Sequence, residues 1–101
     1  MTLSEVRQAI KAECDNLRGI FWANGLGFDL FDLQGIWEVF GGGLESAGQW
    51  SARLTTEESG IPPAGQGETP LVAISRARET REYADLRCTA WATCSRWHLG
   101  T

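Results

Sequence analysis

The fold class is decided by residues 50–55, whose sequence is WSARLT. Apolar and polar side chains alternate along this stretch, with the apolar ones at positions 50, 52 and 54. A period of two residues places the apolar set on one face of a β-strand and the polar set on the other. The pattern predicts a half-buried strand, and therefore a sheet.

The N-terminal segment has a helical period instead. Its apolar residues recur at spacings of three and four: Leu3, Val6, Ile10, Cys14 and Leu17. Thr2 and Glu5 have the spacing of a capping box, and Gly19 supplies the residue that commonly follows a helix end. We therefore predict an amphipathic helix over 3–18 that lies on a sheet or on a partner.

Residues 20–40 allow two interpretations. The Asn-Gly pair at 24–25 stands between two apolar stretches, which is typical of a hairpin with a type I′ turn. Apolar residues in the second half of the segment recur with helical spacing, and Asp29 or Asp32 would cap such a helix. The helical spacing favours a short helix around 30–40, with the hairpin as the alternative.

The C-terminal half is predicted to complete the sheet. Residues 57–69 form a connector dense in Gly and Pro, long enough that we expect it to be mobile or to contact something. Alternation favours strands over 71–81 and 86–94. A helix over 70–98, started by Thr69 and Pro70, is the alternative.

Together these elements predict one α+β domain over residues 1–101. Its N-terminal amphipathic helix and short second helix pack on a small antiparallel sheet, connected as a meander.

Charge and hydropathy exclude several classes of partner. The net charge is −4, and residues 1–50 carry all of the excess, with three basic side chains against seven acidic ones. Such a surface is a poor phosphate binder, so we expect no nucleic-acid partner. No apolar run is longer than four residues, the length of the run at 20–23, and five of the first fifteen residues are charged. We therefore expect no membrane span, no secretory signal and a cytoplasmic location.

The cysteines and the single histidine do not form a recognisable site. Three cysteines without a signal predict free thiols in a reducing compartment. Cys88 and Cys94 are separated by five residues, whereas zinc sites use pairs separated by two to four. His98 would lie about 13 Å from Cys94 on the predicted strand. The glycine-rich stretches lack the Lys-Ser/Thr of a phosphate loop. We predict no metal, no cofactor and no catalytic residues.

Aromatic clustering is the strongest compositional feature. Seven of the ten aromatic residues fall within thirty positions: Phe21, Trp22, Phe28, Phe31, Trp37, Phe40 and Trp50. Each aromatic side chain buries about 150–250 Å², and a domain this small has much surface for its core. We expect most of the seven in the core and the rest in a pocket or a patch that faces a partner.

Two functions are compatible with this surplus of aromatic residues. The favoured one is a small non-enzymatic interaction or assembly protein, which self-associates (most simply as a dimer) or docks on a larger partner. The alternative is a small-ligand-binding protein or small enzyme, with an aromatic-lined pocket and Asp29, Asp32 or Glu38 as its polar group. An exposed aromatic patch would favour the first function, and a closed cavity around these carboxylates the second.

Overall fold

The computed structural model describes residues 2–42, 48–56 and 61–90. The elements follow in the order α1 (Leu3–Leu17), β1 (Ile20–Phe21), β2 (Gly27–Asp32), β3 (Gly35–Gly41), β4 (Trp50–Thr55), β5 (Ala64–Gly67), α2 (Pro70–Arg78) and α3 (Arg81–Ala90). The strands form one antiparallel sheet in the order β1-β2-β3-β4-β5. The predicted α+β class and the meander are therefore confirmed.

Helix α1 forms as its sequence predicts. The backbone N–H of Glu5 donates to Oγ1 of Thr2, which caps the helix, and three side chains on one face are buried, Val6, Ile10 and Cys14. The helix end differs in one detail: Arg18, not Gly19, takes the left-handed conformation, with φ of 59°. A side chain at position 19 would approach the carbonyl oxygen of Asp29 to 2.8 Å, so glycine is needed there for space.

The short helix predicted around residues 30–40 is wrong, and with it the role of Asp29 or Asp32 as a helix cap. Strands β2 and β3 form a hairpin instead, paired from Gly27 and Phe40 to Asp32 and Gly35. Leu33, in the two-residue turn, is fully exposed. It contributed to the helical spacing without belonging to any apolar face. The hairpin alternative holds in part, because Asn24 and Gly25 lie in the turn between β1 and β2. The predicted type I′ turn is wrong: the backbone N–H of Gly25 donates to the carbonyl oxygen of Trp22, and of the Asn-Gly pair only Gly25 has a positive φ, 75°.

The strand predicted over 71–81 is also wrong, because α2 occupies this segment. Thr69 caps the helix by accepting the backbone N–H of Val72, at 3.1 Å, and Pro70 occupies its first turn. These are the start signals of the helical alternative. The apolar stripe of α2 was too weak to predict it, because only four residues of the helix are buried and two of them are alanine.

Two further corrections concern the flanks of α2. The strand predicted over 86–94 is wrong up to residue 90, where α3 lies, and residues 91–94 lie outside the described residues. The connector predicted over 57–69 contains the edge strand β5, and its residues 57–60 also lie outside the described part of the chain.

The core lies between the helices and one face of the sheet, here called the inner face. Phe28, Val39 and Ala52 lie side by side across three strands and are buried. Helix α1 packs against β1 and β2, and α2 packs against β4 and β5. Among the described residues, no helix is long and apolar enough to cross a bilayer.

Candidate functional site

The opposite side of the sheet, here called the outer face, carries the exposed side chains of the strands. Cross-strand register arranges its residues in three rows: Gly27, Phe40, Ser51 and Gln66; Ile20, Asp29, Glu38, Arg53 and Ala64; Phe31, Ile36 and Thr55. Within the described ranges no helix packs on this face. Phe31 is 70% exposed and Phe40 is 36% exposed.

Trp22 and Phe40 form an aromatic ridge on the outer face. Their rings stack with centroids 6.0 Å apart. The indole N–H of Trp22 donates to Oδ1 of Asp29 at 2.7 Å, which fixes the orientation of the ring. The ring lies over Gly27, since a Cβ there would approach it to 2.7 Å. The ridge is therefore held in place by a stack, a hydrogen bond and the missing side chain at Gly27.

An open depression lies beside the aromatic ridge, above β4 and β5. Its volume is about 390 Å³, and its lining is formed by Phe40, Ser51, Ala52, Arg53, Ala64, Gly65 and Gln66. Four of these residues are glycine, alanine or serine. The hollow forms because β4 and β5 place small residues beside the bulky ridge.

Charges of opposite sign occupy different strands of the outer face. Asp29 on β2 and Glu38 on β3 are acidic, and Arg53 on β4 is basic. Oε1 of Glu38 accepts from Nη2 of Arg53 at 2.7 Å and from Oγ1 of Thr55 at 2.8 Å. These two hydrogen bonds, that from Arg53 above all, hold the pKa of Glu38 below its usual value. The row therefore runs from negative to positive across the sheet.

Asp32 lies on the inner face, at the other side of the sheet from Asp29 and Glu38. Its carboxylate accepts from the indole N–H of Trp37 at 2.7 Å, from Nη2 of Arg78 at 3.3 Å and from the backbone N–H of Leu33 at 2.6 Å. Partial burial alone would raise the pKa of Asp32, but these three donors outweigh it and lower the pKa. Asp32 therefore joins the β2–β3 hairpin to the end of α2.

Replacing Asp32 with asparagine should lower the free energy of unfolding by about 1.5–3 kcal/mol at neutral pH, since hydrogen bonds to a charged group are lost. Because the pKa of Asp32 is lower in the folded chain, its stabilisation is full above the unfolded pKa of about 3.9 and is lost as the pH falls through the folded pKa. Urea unfolding between about pH 3 and 8 should show the difference from wild type shrinking at acid pH.

Asp15→Asn is the matched control for this titration. Asp15 pairs with Lys11 on the exposed surface of α1, where water screens the ion pair and its contribution to stability is small. If the difference in free energy of unfolding between wild type and Asp32→Asn did not change with pH, the stabilising role of the charged carboxylate would be contradicted.

The seven aromatic candidates divide between core and surface. Phe28, Trp37 and Trp50 are buried on the inner face, and Phe21 packs against them while partly exposed. The outer face carries the remaining three, Trp22, Phe31 and Phe40.

The three candidate carboxylates do not converge on one cavity. Asp29 and Glu38 are cross-strand neighbours on the outer face, whereas Asp32 is on the inner face, and none of them lines the depression. Sequence reasoning missed Arg53 and Gln66 on the outer face, and Arg78 beside Asp32. The exposed positions of the predicted strand 50–55 would have pointed to Arg53.

The cysteines contribute no assembled site in the described part of the chain. Cys14 is a free thiol under α1, and burial raises its pKa. Of Cys88 only the backbone, in α3, is described, and Cys94 and His98 lie outside the described residues. Within residues 2–42, 48–56 and 61–90, no three His, Cys, Asp or Glu side chains are grouped to hold a metal ion.

No protein-family model matches this chain, and no curated protein or solved structure is significantly similar to it. The geometry of the outer face is therefore the basis for a functional proposal.

Proposed function

We propose that this chain is a small non-enzymatic interaction module that binds another protein through the outer face of its sheet. The observation that carries the proposal is the aromatic ridge of Trp22 and Phe40, which stands beside a depression on a face that no described helix covers. Phe31 adds a further exposed aromatic ring. Exposed apolar groups clustered on one face mark association sites in soluble proteins.

The ridge has the properties of an interface hot spot. Tryptophan and other aromatic anchors supply much of the binding energy at interfaces, in pockets that exclude water. Trp22 is already fixed by Phe40 and by the carboxylate of Asp29, so little side-chain freedom remains to be lost on binding. The adjacent depression would receive a side chain of the partner.

The charge of the outer face and the buried thiol bear on which partners the chain binds and where in the cell it acts. Asp29 and Glu38 make the ridge side of the face acidic, which disfavours nucleic acid. A cytoplasmic location is proposed because the thiol of Cys14 is free and buried. The ligand-binding or enzymatic alternative stays a hypothesis: Asp29, Asp32 and Glu38 already accept hydrogen bonds from Trp22, Trp37 and Arg53 respectively.

The double variant Phe31→Ser/Phe40→Ser tests the proposal, because it removes apolar area from the outer face only. We expect it to weaken binding to the chain's protein partner about tenfold or more, whether that partner is a second copy or another protein. Binding would be measured by co-purification from the native host followed by titration of the purified partner, and by sedimentation of the chain alone.

Leu71→Ser is the matched control. Leu71 is also an exposed large apolar residue, but it lies on α2. Urea unfolding should show both variants folded and cooperative, so that lost binding is not lost folding. The double variant should be about 1–3 kcal/mol less stable than wild type, because it loses the ring stack with Trp22 and two residues that favour strands. Equal binding by wild type and the double variant, or a wild type that binds no protein at all, would refute the proposal.

A further inference from the structure

We infer that the partner is a second copy of this chain, packed face to face about a two-fold axis that runs parallel to the strands between β3 and β4. The inference rests on the proposed function of the outer face. Such an axis exchanges β3 with β4 and β2 with β5, and it keeps each row of the outer face level with the same row of the other copy. The contact is isologous, as in most dimers of identical chains.

The line between β3 and β4 divides the outer face into two unlike halves. The aromatic ridge and both acidic side chains lie on the β2–β3 half. The depression and Arg53 lie largely on the β4–β5 half. A surface of this kind is complementary to itself only when each half meets the opposite half of the other copy.

Shape is the first feature that the axis satisfies. Phe40 and Ser51 are registered neighbours across β3 and β4, so the rotation places Phe40 opposite Ser51 of the second copy. Trp22, over β2, comes opposite Gln66 on β5 of the second copy, at the edge of its depression. Each ridge thus enters the hollow of the other chain.

Charge is the second feature, and it is independent of shape. Glu38 and Arg53 are also registered neighbours, so the same axis places Glu38 opposite Arg53 of the second copy, twice by symmetry. A two-fold axis that crossed the strands at this row would oppose Glu38 to Glu38 and Arg53 to Arg53. Like charges directly opposed disfavour an interface, so charge selects the axis that also fits the shape.

The area of the outer face sets the expected affinity of the dimer. Four strands about 4.8 Å apart and six residues long, at about 3.4 Å each, give a planar footprint of roughly 400 Å² per copy. Two such footprints lie below the 1,200–2,000 Å² typical of stable complexes, and in the range of transient ones. We therefore expect a reversible dimer with a Kd in the micromolar range or weaker.

Charge reversal in trans is the decisive experiment. Glu38→Arg makes the Glu38–Arg53 pair of one copy all basic, and Arg53→Glu makes it all acidic. Sedimentation velocity from about 1 µM to 1 mM should show the wild-type chain forming dimers as its concentration rises. The dimer Kd of each variant alone should be at least about tenfold higher than that of wild type. An equimolar mixture of the two variants should recover dimer, because the basic and acidic faces then meet.

Two further variants separate this effect from folding and from net charge. The double variant Glu38→Arg/Arg53→Glu keeps every opposed pair and should dimerise like wild type, even where a single reversal disturbs the pair within one chain. Lys11→Glu, on α1, changes the net charge as much as Arg53→Glu and should leave dimerisation unchanged. Circular dichroism of each variant reports its folding.

Three results would overturn the inference: a monomeric wild type over the whole range, single variants that dimerise like wild type, or a mixture that recovers nothing. The first of these leaves the proposed function standing if the outer face still captures a different protein and Phe31→Ser/Phe40→Ser abolishes that capture. If the wild type is monomeric and captures no protein through the outer face, both the dimer and the proposed function are overturned.

Discussion

Replacing Trp37 with alanine should lower the free energy of unfolding by about 3–5 kcal/mol, the range for a buried aromatic residue cut back to alanine. The side chain is only 1% exposed, and its loss leaves a cavity at the junction of β3 with two helices. Arg78 lies over its ring at 5.7 Å and the ring of Tyr83 lies 6.1 Å away. Domains of this size are stable by about 5–15 kcal/mol, so the variant should be close to unfolding at moderate temperature.

The indole N–H gives this prediction a second part. Trp37→Phe keeps most of the ring but removes the donor to Asp32, and it should cost about 1–3 kcal/mol, less than alanine. Leu33→Ala, in the adjacent turn, is the control: Leu33 is fully exposed and its loss should change stability by about 0.5 kcal/mol at most. Urea unfolding followed by circular dichroism measures all three. A cost for Trp37→Ala no larger than that of Leu33→Ala would refute its place in the core.

Helix α1 and strand β4 could be predicted from sequence because each has one apolar face. The capping residue Thr2 adds a start signal for the helix, and Trp50, Ala52 and Leu54 are the buried side chains of β4. In both elements the spacing of apolar residues in the sequence equals the period of the element that forms. On β4 the outer face carries only polar side chains. Local pattern and tertiary packing agree, so the periodicity suffices.

The β2–β3 hairpin could not be predicted because apolar residues lie on both of its faces. Phe31, Ile36 and Phe40 belong to the outer face, while Phe28 and Trp37 belong to the core. This removes the period of two that identifies a half-buried strand. The same feature that hid the hairpin is the feature on which the proposed function depends.

The candidate site was predicted in its aromatic members but not in its arrangement. Asp29 and Asp32, three residues apart, are alternative caps for the start of the predicted helix. On a strand their odd spacing sends them to opposite faces, one to Trp22 and the other to Trp37. Arg53 joins Glu38 only through the pairing of β3 with β4, fifteen residues apart in sequence. Register of this kind is not encoded in local spacing.

Gly65→Ala should lower the free energy of unfolding by about 3 kcal/mol, the upper end of the usual cost of overpacking. A Cβ at Gly65 would collide with the backbone of α2, at the carbonyl oxygen of Ala73 and the amide nitrogen of Ala77. Backbone atoms of a helix cannot turn aside as a side chain does, so α2 would have to move away from the sheet. The close approach also explains why α2 is buried through alanines and why its stripe was hard to recognise in the sequence.

Two neighbouring substitutions in β5 test whether backbone contact is the cause. A Cβ at Gly67 meets chiefly the exposed side chain of Val72 and approaches the α2 backbone less closely, at 3.0 Å from the amide nitrogen of Ala73. Its cost should therefore be smaller than that of Gly65→Ala. Ala64→Val adds more volume than either, but it points to the outer face and should change stability by about 0.5 kcal/mol at most. Urea unfolding should therefore rank the costs as Gly65→Ala, then Gly67→Ala, then Ala64→Val. If Ala64→Val cost as much as Gly65→Ala, added bulk anywhere in the edge strand would explain the loss, and the close packing of α2 on Gly65 would not.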